Sequence, residues 1–177
     1  MRKEIEYWDL YDLQLRRTGK TALRGTGLPE GTLHLVVHIC IFDSAGRLLI
    51  QQRQTFKEGW PNLWDLTVGG SALAGETSQQ AAQRELFEEI GYRADFEKMR
   101  PFFTVHFPRG FDDVYFIQDD VDLACLTLQQ EEVQRVKWAA EDEVLDMIDR
   151  GLFIPYYPSL IKLLFEMRQS RGALKGK

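Results

Sequence analysis

Three glutamates, Glu85, Glu88 and Glu89, stand at i, i+3 and i+4 in the run Arg84-Glu85-Leu86-Phe87-Glu88-Glu89-Ile90-Gly91. On a helix that spacing sets the three carboxylates on neighbouring turns of one face, where like charges repel. Arg84, four residues before Glu88, is a nearby cation that relieves part of this. A hard divalent cation resolves the rest, because Mg²⁺ and Mn²⁺ favour carboxylate, carbonyl and water oxygens. The competing reading is a solvated helix face that binds nothing.

The elements that would position these side chains are legible around them. Gly70 and Gly75 belong to a glycine-containing loop, and Thr77 or Ser78 offers an oxygen to the backbone N–H groups of a helix start. Neither Pro nor Gly interrupts 77–90, and Gly91 suits the left-handed residue that stops a helix. Ala82, Leu86 and Ile90 recur every fourth residue and form the stripe that this helix buries.

The stretch Gly70–Tyr92 resembles the signature of the Nudix hydrolases, G-x5-E-x7-R-E-U-x-E-E-x-G-U with U bulky and apolar. Gly70, Glu76, Arg84, Glu85, Leu86, Glu88, Glu89 and Gly91 fall in place, and Tyr92 replaces the usual aliphatic at the last position. The resemblance implies an α/β fold, an α/β/α sandwich around a mixed β-sheet. It implies that Glu85, Glu88, Glu89 and the Gly70 carbonyl hold Mg²⁺ or Mn²⁺. It implies too that Arg84 orients Glu89 and pairs with Glu76. The reaction implied is hydrolysis of a diphosphate linkage in a small molecule, such as a nucleoside diphosphate derivative, by water attacking phosphorus. For the general base the acidic candidates are Asp112, Asp113, Glu131 and Glu132, with Glu132, just before a strand, preferred.

A second resemblance lies in 34–42 and in Gly59-Trp60-Pro61-Asn62-Leu63-Trp64, which look like isopentenyl-diphosphate isomerases of the same fold. Their catalytic cysteine corresponds to Gly69, the histidine two residues on to Ser71, and a metal histidine to His34. Their glutamate near the hairpin corresponds at best to Asp113. Without the thiol the proton donor is gone, which places the chain in an isomerase-like branch of hydrolases. The alternatives are an isomerase-like enzyme or a non-catalytic ligand-binding or sensor module on the same fold. Trp60, Trp64, Phe103 and Phe111 are candidates to stack a nucleobase, although aromatics are ordinarily core. His34 is a candidate substrate contact, while His34, His38 and His106 otherwise read as packed or pocket residues.

The chain has 177 residues, is 44% hydrophobic and carries a formal net charge of −5. Those values suit a single domain over 1–177 and argue against a nucleic-acid polymer as partner. The start MRKEIEYWDL lacks an apolar run, so neither a signal peptide nor a membrane span is expected. Cys40 and Cys125 lack metal spacing, suggest a cytoplasmic location and read as buried small hydrophobes. Arg17–Thr21 imitates the end of a phosphate-binding loop but lacks its first glycine and its strand.

Along the chain, 1–32 reads as an edge strand plus loop, 33–42 as a central strand buried on both faces, and 47–53 as its partner. The segment 54–64 reads as an irregular pocket wall. Residues 102–107 and 114–118 read as strands across a tip at 108–113, and 133–138 as a further strand. Helices are expected over 141–150, with Leu145 and Ile148 inward, and over 159–169. In the second, Leu160, Leu163, Leu164 and Met167 line one side. The tail 171–177 reads as frayed.

Overall fold

The computed structural model describes residues 5–170, 172 and 174, so the expectation for the tail falls almost wholly outside the described residues. Among the described residues, nine strands and three α-helices make an α/β arrangement. Strands β1 (Tyr7–Tyr11) and β2 (Arg17–Leu23) form a two-stranded antiparallel sheet. The larger sheet runs in the order β5 (Trp64–Asp65), β4 (Leu48–Arg53), β3 (His34–Phe42), β8 (Gly110–Gln118), β7 (Phe103–Phe107). Strand β6 (Val68–Ser71) pairs with β3, and β9 (Val133–Ala139) pairs with β4. The helices are α1 (Ser78–Ile90), α2 (Glu141–Asp149) and α3 (Pro158–Met167). No helix among the described residues is long and apolar enough to cross a membrane.

The chain divides into two compact units, the first made of 1–38, 69–85 and 94–115, the second of 39–68, 86–93 and 116–177. Strands β3 and β8 and helix α1 each contribute residues to both. In the first unit, Leu35, Val37, Ala81, Ala82 and Phe96 are buried, with Phe96 edge-on to Tyr115 at 5.3 Å between ring centres. In the second, Ile39, Ile41, Leu48, Leu49, Ile50, Leu86 and Ile90 are fully buried, and Phe42 packs edge-on against Phe165. The buried stripe read from α1 is therefore as expected, with Ala81 added to it.

Helix α1 begins with a reciprocal cap. The Gln80 N–H donates to Thr77 Oγ1 at 3.2 Å, and the Thr77 N–H donates to Gln80 Oε1 at 2.9 Å. Two donors that a helix start leaves unpaired are thereby satisfied. At the other end Gly91 adopts φ 69°, and its N–H donates to Phe87 O at 2.9 Å. A Cβ at Gly91 would press on Thr127, so glycine is needed for space as well as for conformation.

Several expectations need correction. The N-terminal segment is a hairpin rather than an edge strand with a loop, because β2 is solvent-exposed along almost its whole length and carries no apolar alternation. Gly70 lies in strand β6, not in a loop. The β7–β8 connection is only Pro108-Arg109, and Gly110 to Asp113 already belong to β8. Helix α2 buries Val144 and Met147 instead of Leu145 and Ile148. Helix α3 buries Ile161, Leu164 and Phe165, and leaves Leu163 exposed. Both helices are apolar on more than one side, so spacing alone does not choose the buried face. Cys40 is buried as expected, but Cys125 is exposed.

Candidate active site

The motif residues of the first unit form one hydrogen-bonded cluster. Arg84 donates through Nε to Glu76 Oε1 at 2.7 Å and through Nη2 to Glu76 Oε2 at 2.9 Å. The same guanidinium reaches Ser71 O at 3.1 Å and pairs through Nη1 with Glu85 Oε1 at 2.9 Å. A planar fork of donors makes this possible, which a lysine could not reproduce. Burial alone would ease the proton off Arg84. The hydrogen bond to Glu76 and the charge of Glu85 outweigh that and hold Arg84 firmly protonated, with its pKa above the usual arginine value.

Gly70 lies directly beside Glu85, close enough that any Cβ at position 70 would collide with the carboxyl group. The glycine thus lets the backbone of β6 approach the Glu85 carboxylate.

The N-terminal hairpin supports this cluster. The Gly75 N–H donates to Asp9 Oδ2 at 2.9 Å, the Ala74 N–H donates to Tyr7 O at 2.7 Å, and Arg17 Nη2 donates to Glu76 O. The Leu73 N–H donates to Glu76 Oε2 at 2.8 Å. Glu76 is thus held by backbone and side chain together. No sequence signal marks the hairpin for this role, since its contacts come from polar residues far away in the chain.

In the second unit, Glu89 is buried and accepts a hydrogen bond from Gln51 Nε2 at 2.8 Å, while Glu88 is exposed. Among the described residues, no group of three or more His, Cys, Asp or Glu side chains is gathered as a ready metal cluster. The glutamates keep their helical spacing on α1, and Glu85 and Glu89 each bond a neighbour of their own.

The expected base candidates are mostly engaged. Glu132 pairs with Lys57, Asp113 accepts from Thr104 Oγ1 at 2.7 Å, and Asp112 lies 2.6 Å from His38 Nδ1. The His38–Asp112 pair was not foreseen as a unit. It is half-buried, and a Cβ at Gly69 would come 2.5 Å from His38 Nε2. The imidazole therefore fills the space that a side chain at the isomerase cysteine position would need.

The aromatic candidates are not brought together. His34 stacks on Trp8 at 4.4 Å between ring centres, Phe111 is buried against Tyr11, and Phe103 faces Val114 in the β7–β8 ladder. Burial lowers the His34 pKa, against the opposing hydrogen bond to Arg109 O, and the Arg109 charge adds to the lowering. In the second unit Trp64 is buried in β5 beneath Arg135 and Lys137, whereas Trp60 is exposed on its loop with φ 51°. An open groove of about 490 Å³ runs beside Trp64, Lys137, Met147 and Leu152, and no motif glutamate lines it.

The motif on this fold is that of the Nudix hydrolases, which act on phosphorus anhydrides. The model of the NUDIX domain matches residues 32–157, and the chain belongs to the Nudix family. It is 49% identical over 166 residues to an uncharacterized Nudix hydrolase of Listeria monocytogenes, covering 94% of this chain and 97% of that one. An isopentenyl-diphosphate delta-isomerase of Aspergillus fumigatus is 30% identical over 80% of this chain and 62% of its own length. Among solved structures, that of DR0079 from Deinococcus radiodurans superposes with a TM-score of 0.75 at 24% identity. It covers 89% of this chain and 98% of that one. The Nudix fold expected from the sequence is thus the fold of the chain, and the isomerases are relatives at lower identity.

Proposed function

We propose that the chain hydrolyses a diphosphate linkage in a nucleoside diphosphate derivative or related small molecule, with Mg²⁺ or Mn²⁺ as cofactor. The observation that carries this reading is the approach of the Gly70 backbone to a Glu85 carboxylate locked by Arg84. Carboxylate and carbonyl oxygens suit a hard cation, and the absence of a Cβ is what leaves room for them. The ligands would be Glu85, Glu88, Glu89 and the carbonyl of Gly70. When bound, the cation neutralises charge that develops on the phosphates.

The chain's own residues carry the remaining roles. Arg84 fixes Glu85 and Glu76 and so sets the direction of the motif carboxylates. We assign Glu132 as acceptor of the proton from the attacking water, with Lys57 keeping that carboxylate in one place. The water oxygen forms a bond to phosphorus, the bridging P–O bond breaks, and the departing phosphate takes its electron pair. Trp60, exposed on its loop, is the aromatic we assign to meet a nucleobase.

Support against the isomerase reading comes from Gly69. It has no acid to offer, and His38 fills the space over it. The test is a panel of nucleoside diphosphates, triphosphates, nucleotide sugars and prenyl diphosphates, with Mg²⁺, Mn²⁺ or excess chelator. Metal-dependent release of phosphate or nucleotide from at least one compound is expected, with no isomerisation of isopentenyl diphosphate. Equal activity in chelator, or none on any member, would refute the proposal.

A further inference from the structure

Strand β4 carries two consecutive buried glutamines after the apolar run Leu48-Leu49-Ile50. Neighbours on a strand point to opposite faces, so each needs its own account. Gln52 is satisfied at both ends of its amide. Its Nε2 donates to Asn62 O at 2.9 Å, and its Oε1 accepts from Arg135 Nε at 2.7 Å. Gln51 is different. It is 3% exposed, its Nε2 donates to Glu89 Oε2 at 2.8 Å, and its Oε1 is buried with no hydrogen-bond partner.

A buried acceptor without a donor is costly and uncommon, so a donor is expected to arrive from outside the chain. That acceptor belongs to the amide that anchors Glu89, itself 6% exposed. A bare anion would repel both groups. An apolar ligand would satisfy neither. A hydrated divalent cation satisfies both at once, offering charge to the carboxylate and a polarised O–H to the amide oxygen.

We infer that Gln51 is a positioning residue of the cation site, fixing Glu89 through Nε2 and receiving a hydrogen from a water of the cation's hydration shell at Oε1. This rests on the reading of α1 as a cation-binding helix. Gln51 fixes one carboxylate oxygen of Glu89 and presents a neutral acceptor beside it, so it offers water an acceptor without adding a fourth repelling charge.

Mn²⁺ alone serves as the probe, with the free ion counted by electron paramagnetic resonance during titration of the full chain. Gln51→Met keeps length and burial and removes both hydrogen-bonding functions. It is expected to weaken Mn²⁺ binding by about 10- to 100-fold, the range for losing a group that orients a ligand. Gln52→Met, which disturbs Asn62 and Arg135 instead, is expected to change it less than about twofold. In the Glu89→Gln background, Gln51→Met should add less than about twofold, because the charged ligand that Gln51 positions is already gone. If Gln51→Met does not fold, Gln51→Asn withdraws the same amide by one methylene and is expected to show the same weakening. Unchanged Mn²⁺ affinity in the folded Gln51 variant overturns this inference and leaves the hydrolase reading standing. A wild-type chain that binds no Mn²⁺ overturns both.

Discussion

Arg84 serves two carboxylates with one guanidinium, and its value lies in geometry as much as in charge. Arg84→Lys keeps the charge but cannot reach Glu76 with two parallel bonds and Glu85 with a third. Loss of about 2 kcal/mol is expected, the scale of one charge-assisted hydrogen bond, read from the urea midpoint. An unmoved midpoint would mean that the pairings add nothing to stability. His34 supplies a pH-dependent test. Burial lowers its folded pKa below the ordinary 6.5, so the folded state resists the proton that the unfolded chain accepts. This contribution is present above pH 6.5 and is lost as pH falls below it. Wild type should therefore lose stability faster than His34→Gln as pH falls below the ordinary histidine range. Parallel curves would contradict the assignment. At this scale the motif residues were legible because their types and spacing are tied to one helix. The His38–Asp112 pair was not, since 74 residues separate partners that only strand pairing unites.

Helix α1 shows why some elements can be read and others cannot. Its cap, its stripe and its terminal glycine all lie within a few residues of one another, and each agreed with the structure. Thr77→Ala should cost about 1 kcal/mol through loss of the cap, measured by thermal melting. No change would show that Gln80 alone holds the helix start. Strand β3 was legible as central from its apolar density, and it does sit in the middle of the sheet, but it is buried on both faces only over 39–42, since His34, Val36 and His38 are partly open. Strand β2, RTGKTAL, has no apolar face to betray it and exists by pairing with β1. Strand β6 is glycine-rich, which a local reading takes as a loop. Its place in the sheet comes from β3, and its glycines answer to His38 and Glu85 rather than to local conformation. The buried faces of α2 and α3 were decided by what packs on them, since apolar residues on several sides leave periodicity ambiguous.

For the molecule as a whole, the proposed cation would relieve repulsion among the α1 glutamates, which otherwise costs folding. On the proposal that Mg²⁺ binds the native arrangement and not the unfolded chain, it should raise stability by about 2.7 kcal/mol at a hundredfold excess over its dissociation constant. For a chain of this size that is a rise in melting temperature of roughly 5–10 °C. Glu89→Gln removes one charge with little change of shape and can still meet Gln51. Its metal-free stability should equal or exceed that of wild type, while turnover and most of the metal-induced rise are lost. The most direct measurement is therefore a set of thermal melts of wild type and Glu89→Gln, each with and without Mg²⁺. A clear Mg²⁺-induced rise in wild type and little in the variant is the predicted result. An equal rise in both proteins, or none in wild type, would contradict the claim that the carboxylates of α1 hold the cation.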